Sequence, residues 1–153
     1  MALAGAQTSL EEFEGWRSAN GISEGGPKEF PEAADSVPAL METSEAFRRS
    51  WAEHGHDRSD KRIKSVVAIA PAPPIRSFIP QSVTELELPV VILLGGADNE
   101  APSEHCADWL VSQNARFQRH DLGKQVGHYT FLDFPSDKSL IGKADIFSDH
   151  DSV

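Results

Sequence analysis

Two apolar runs, one nearly continuous and one unbroken, dominate the second half of the chain. Ile63 to Ala70 is rich in β-branched residues and stops at Pro71, Pro73 and Pro74, while Pro89 to Leu94 stops at Gly95-Gly96. Runs without polar alternation suit strands buried on both faces of a parallel sheet, so both are expected to be strands of that kind. Between Pro102 and Gln113 the pattern becomes helical, with Ser103 as N-cap and Cys106, Trp109 and Leu110 turned inward. A weaker strand is expected over Arg116 to Leu122. Strand, helix, strand in that order predicts a right-handed βαβ crossover.

The first half is patterned differently. Leu3, Ala6, Leu10, Phe13 and Trp16 recur at spacings of three and four, which predicts a helix over residues 3–17, within a first helical unit at 1–20 that Asn20-Gly21 ends. Glycines, prolines and acidic residues fill Gly21 to Pro38. A second amphipathic stretch, Ala39 to His54, has Leu40, Phe47 and Trp51 as its expected buried side chains. Residues 21–60 therefore read as an irregular excursion or cap, and residues 61–153 as the strand-helix-strand portion of one partial α/β domain.

Composition narrows the function. The chain has 153 residues and a formal charge of -10. That charge disfavours a nucleic-acid backbone or an anionic membrane surface as partner. The longest apolar run, Leu88 to Leu94, falls far short of the roughly 20 residues a bilayer span needs. Met1 to Ala6 lacks a basic segment and soon meets Glu11, Glu12 and Glu14, unlike a secretory signal, so the cytoplasm is the expected location. The single cysteine, Cys106, excludes an internal disulfide.

In doubly wound sheets functional groups gather beyond the carboxyl ends of strands. Asp98 follows the run Pro89 to Leu94, and His128 lies in the loop after the third strand, in Gly127-His128-Tyr129. A histidine base needs a carboxylate to fix its tautomer and to stabilise its imidazolium. An acid after one strand and a histidine after the next is the α/β-hydrolase order, with a serine upstream.

These segments resemble a known family. PVVILLGGADNEAP is similar to the seventh strand and acid turn of dienelactone hydrolase-like α/β-hydrolases, GKQVGHYTFLDF to their histidine loop, and IKSVVAIAPAP to their sixth strand. The resemblance runs from about Lys61 to the C-terminus. It implies a partial α/β-hydrolase fold, a mostly parallel sheet of strands equivalent to the sixth to eighth with flanking helices. Asp98 is then the triad acid and His128 the base, without a cofactor. Met1 to Ala6 resembles the small-residue helix after the nucleophile elbow, which implies that the serine and the oxyanion-hole donors precede Met1. Ser148 to Val153 carries helix-capping residues where such hydrolases close with a helix.

One internal match competes for the nucleophile. Gly21-Ile22-Ser23-Glu24-Gly25 fits G-x-S-x-G and precedes Asp98 and His128 in the right order. The pattern requires a buried strand before it and a helix directly after it. A glutamate-rich helical stretch precedes Ser23 and Gly26-Pro27 follows, so Ser23 reads as part of a glycine-rich turn, with the nucleophile role as its minor alternative.

Three polar groups could suggest metal: His54, His56, Asp57 and Asp60; His105 with Cys106; and Asp149, His150 and Asp151. None has paired zinc-ligand spacing, so all read as solvated polar segments and no metal is expected. Cys106 reads as a small buried apolar residue, and Trp16, Trp51 and Trp109 as packing.

The expected function is hydrolysis of a small ester or lactone by the parent domain, with this chain supplying the acid and the base. The alternatives are an inactive fragment or interaction module, and one half of a split hydrolase. In each, the strand at 63–70 has a raw edge that invites self-association or pairing with an N-terminal half.

Overall fold

The computed structural model describes residues 1–22 and 31–131. In chain order its helices and strands are α1 (Leu10–Ala19), α2 (Val37–Thr43), α3 (Glu45–Ala52), β1 (Val66–Ile69), α4 (Pro80–Thr84), β2 (Val90–Leu94), α5 (Ala107–Gln113) and β3 (Gln118–Asp121). The strands form one parallel sheet in the order β1-β2-β3, with Val66 opposite Val90 and Val91 opposite Gln118. Helices connect each pair of strands, so the protein is a partial α/β fold.

The core lies on one face of this sheet. Val90, Ile92 and Leu94 of β2 pack with Val83 of α4, Leu86, Ala107 and Leu110 of α5, Phe117 and Ala6. The burial on both faces that the unbroken apolar runs predict is not found. Val67 and Ile69 of β1 are 60% and 49% exposed, and all four residues of β3 are exposed. A run such as Val66 to Ala70 states only that its side chains are apolar; which face is covered depends on what packs there. The strand is also shorter than its apolar run. Asp60 accepts from Arg62 N–H at 2.9 Å and Ile63 N–H donates to the Asp60 carbonyl, which makes a turn of the residues just before β1.

The first helix is broken where one continuous helix was expected. Ala2–Ala4 form a 3-10 turn that ends at Gly5, whose φ of 113° is a left-handed value suited to glycine. The next residues run extended. Gln7 N–H donates to Ser82 Oγ at 2.9 Å, Ile79 N–H to the Gln7 carbonyl at 2.8 Å, and Thr8 bridges Phe78. Helix α1 starts only at Ser9, whose hydroxyl caps Glu12 N–H. Ala6 is thus buried through this extended segment and not through a shared helix face with Leu10.

The second amphipathic stretch also divides. Ser44 is extended, closes α2 and caps α3 by accepting from Phe47 N–H at 3.2 Å. Phe47 packs at a tilt against Trp51 with ring centroids 5.5 Å apart, but Leu40 and Trp51 are exposed, contrary to the buried roles expected of them. Among the described residues no helix is long and apolar enough to cross a membrane.

Gly15 lies inside α1 on its exposed side, and a methyl group there meets no atom within 4 Å. Gly15→Ala is expected to stabilise the protein by about 0.5–1 kcal/mol, because alanine has less chain entropy to lose on entering a helix. A urea midpoint equal to or below that of the parent would be inconsistent with a helix at this position.

Candidate functional site

The carboxyl ends of β2 and β3 lead into two loops that grip one another. Gly96 N–H donates to the Gly123 carbonyl at 2.8 Å and Ala97 N–H to the Val126 carbonyl at 3.0 Å. Gly123 holds φ 119° and its N–H is capped by Asp121 Oδ1 at 2.8 Å, which turns the chain back after β3. A Cβ on Gly95 would fall 1.9 Å from the Val126 carbonyl oxygen, so the two backbones cross where no side chain fits.

This crossing brings together Asp98 and His128, the residues singled out as acid and base. His128 Nδ1 and Asp98 Oδ2 are 2.9 Å apart. Asp98 Oδ1 accepts from the Ala101 N–H at 2.7 Å and from the Glu100 N–H at 3.1 Å. Those two donors hold the carboxylate in one orientation and leave Oδ2 to accept from the ring. The ring proton is thereby placed on Nδ1, and the Nε2 lone pair is left to take a proton from something else. The Asp98 side chain is 1% exposed and that of His128 20%, so the carboxylate is shielded while the imidazole reaches solvent. Tyr129 packs edge-on to the imidazole at 5.0 Å, and Thr130 Oγ1 accepts from Gly127 N–H at 3.0 Å, bracing the 3-10 turn His128–Phe131. Among the described residues no hydroxyl or thiol is bonded to Nε2.

Cys106 lies close enough to Asp98 to feel its charge, but it is not a nucleophile. Burial, then the negative charge of Asp98, push its thiol up to about 12, with Arg76 offsetting part of the rise. It remains a protonated, 1% exposed core residue at neutral pH. The helix that follows it, α5, is shorter than the expected span of Pro102 to Gln113. Ser103 does not cap it, and the Ser103 hydroxyl accepts instead from Arg119 at 3.2 Å.

Among the described residues no three His, Cys, Asp or Glu side chains converge on a point that could hold a metal ion. Asp57 is taken by Ser59 N–H, and Asp60 by Arg62, whose guanidinium holds the carboxyl below its usual range. His105 lies against Trp16 at 5.6 Å while the adjacent Cys106 is buried. Ser23 and the group Asp149, His150 and Asp151 lie outside the described residues.

Two features at this end of the sheet escaped the sequence reading. The Gly95-Gly96 doublet was read as a strand end, whereas a glycine pair at that place also signals close backbone approach. Arg76, in the 3-10 turn Pro73–Ser77 after β1, sits over the rings of Trp16 and Trp109 at 5.2 and 4.7 Å. No local pattern marks it, since the partners belong to α1 and α5.

No family model and no curated protein matches the sequence. Among solved structures the chain is similar to a hydrolase from Pseudomonas aeruginosa PA01, at 13% identity and a TM-score of 0.32. The alignment covers 95% of this chain and 52% of the other, so the chain spans about half the length of that protein.

Proposed function

We propose that Asp98 and His128 are the acid and base of a serine hydrolase of the dienelactone hydrolase-like kind, acting on a small ester or lactone. The observation that carries this reading is the 2.9 Å bond between a solvent-reachable imidazole and a shielded carboxylate beyond the ends of adjacent parallel strands. In the reaction, a serine hydroxyl bonded to Nε2 attacks the acyl carbon as Nε2 takes its proton. The imidazolium then delivers that proton to the leaving alkoxide, and water repeats the sequence to release the acid. Asp98 holds the Nδ1 tautomer throughout. The nucleophile comes from outside the described residues, with Ser23 as the candidate within this chain.

A second reading makes the chain one half of a two-chain hydrolase. It is favoured by the open face of β1 at Val67 and Ile69, beside an edge whose outward backbone groups suit strand addition. A partner half would supply both the serine and the cover.

The test is hydrolysis of 4-nitrophenyl acetate by the purified chain beside His128→Ala, Asp98→Asn and Ser23→Ala. Turnover should fall by roughly 10²-fold or more in the first two, since a misplaced tautomer disables the base. Loss in Ser23→Ala as well assigns the serine to this chain. Turnover unchanged in His128→Ala refutes the acid–base reading. Absence of turnover in a folded parent chain, accompanied by a downfield Nδ1 proton resonance that Asp98→Ala removes, favours the second reading.

A further inference from the structure

The two outer strands of the sheet are finished differently. β3 carries Gln118, Arg119, His120 and Asp121, all exposed, and Arg119 pairs with Asp108 at 3.0 Å. Charges of that kind discourage an edge from adding another strand. β1 has no such guard: from Ser65 to Ile75 every residue is uncharged. Val66 N–H donates to the Pro89 carbonyl at 2.9 Å and Ala70 N–H to that of Leu93 at 2.8 Å. Alternate residues of a strand turn their backbone groups to opposite sides, so Val67 and Ile69 direct theirs away from β2. Among the described residues no strand pairs with them there. Their side chains are 60% and 49% exposed. In register with them across the sheet stand Val91 with Gln118 and Leu93 with His120, so this face carries neither a carboxylate nor a guanidinium.

Charge selects what fits the edge. Lys61, Arg62 and Lys64, just before β1, form the densest cationic run in a chain of net charge -10. Arg62 is held by Asp60, and Lys64 Nζ donates to the Lys61 carbonyl at 2.7 Å. A second copy supplies the acidic body that such a flank attracts, and it presents the same unguarded strand. Two copies in parallel would set basic flank beside basic flank, about 4.8 Å apart. Antiparallel, each flank runs past Ala70 of the other strand, along the uncharged stretch Pro71 to Ile75, towards the end of the sheet where Asp98, Glu100 and Glu104 follow β2. Arg76, the cation at that end of β1, is stacked on Trp16 and Trp109. We infer that β1 pairs antiparallel with β1 of a second copy about a twofold axis at Val67, joining two three-stranded sheets into one of six strands. This register sets Val67 opposite Val67 and Ile69 opposite Ser65, whereas the next one would call on Pro71, which has no N–H to donate. It also places the two exposed valines in cross-strand contact. The dimer does not depend on the roles of Asp98 and His128, and it competes with a partner half for the same edge.

Sedimentation velocity of the full chain, from about 1 μM to about 1 mM, should show monomer giving way to dimer and nothing larger, because a twofold pair uses up both edges. Exchange of the Val67 and Ile69 amides should slow as concentration rises, while that of Val66 and Ala70, bonded within the chain, should not change. Val67→Pro removes one outward N–H from each copy and spares the bonds to β2, so it should weaken the dimer about tenfold or more. Val67→Lys, which sets like charges across the axis, should weaken it similarly at low salt and less at high salt. A chain that stays monomeric throughout overturns the inference and leaves the partner half standing. Species that grow beyond the dimer overturn it as well, and so does a dimer that neither variant weakens. Val67 and Ile69 amides already protected in the dilute monomer would mean that the chain covers its own edge, which also ends the proposal. The measurements on the parent chain need no variant to fold.

Discussion

Gly95→Ala should cost the protein about 3 kcal/mol or more, at the upper end of what overpacking causes. The added Cβ would lie 1.9 Å from the Val126 oxygen, 2.5 Å from its carbonyl carbon and 2.9 Å from its Cγ1. Two of those three atoms are backbone, so no rotamer change relieves the clash. The backbone that must move is the segment that accepts from Ala97 N–H and carries His128 two residues further on. Loss of stability should therefore come with loss of the Asp98–His128 bond. Urea unfolding measures the first, and disappearance of the downfield Nδ1 proton resonance in the folded fraction measures the second. A midpoint within about 0.5 kcal/mol of the parent, the range of neutral surface changes, would mean that the two loops do not cross as described. Gly15→Ala, with open space around its Cβ, is the matched control of opposite sign.

The second large effect is expected at Asn114, a residue with no catalytic role. Its amide Nδ2 donates to the carbonyls of Val83, Thr84 and Leu86 at 3.1, 3.2 and 3.0 Å. Its Oδ1 accepts from Arg116 N–H at 3.1 Å. Those carbonyls lie at and beyond the end of α4, where helix geometry leaves oxygens without intrahelical partners. Asn114 is 6% exposed, so water does not readily replace it. Asn114→Ala should cost about 2–3 kcal/mol, since buried acceptors and one donor lose their partner. Asn114→Asp keeps the shape and should cost more at neutral pH, because a carboxylate would face three carbonyl oxygens. That environment disfavours the charged form and raises the introduced carboxyl's pKa above its unfolded value. The variant's stability is therefore greatest in acid, below the unfolded carboxyl pKa, and falls as pH rises through the folded one. Urea midpoints across that range read the trend, and an aspartate variant no less stable than the alanine variant at neutral pH would contradict this arrangement.

The juxtaposition of the two candidate residues was legible from the chain alone, because its signals are local. A six-residue apolar run ending in Gly95-Gly96 has few structures open to it other than a buried strand, and Val90–Leu94 is the central strand of the sheet. The expected Ala107 to Gln113 part of the fifth helix turns Leu110 inward, as its spacing required. Asp98 and His128 could be paired on paper because each follows a strand, and the structure places their polar atoms 2.9 Å apart.

What the sequence determined by itself is the set of elements whose pattern spans a few residues: the apolar strand cores, the helix face of α5, and an acid and a histidine after successive strands. Tertiary structure decided the rest. It broke the first helix at Gly5, because Gln7, Thr8 and Ser9 find partners near Ser77 to Ser82, about 70 residues away. It left Val67 and Ile69 exposed, because an apolar residue is buried only where a neighbour covers it. It also set Arg76 between α1 and α5, and Asn114 against the end of α4, through contacts that join distant parts of the chain and leave no periodic trace within either part.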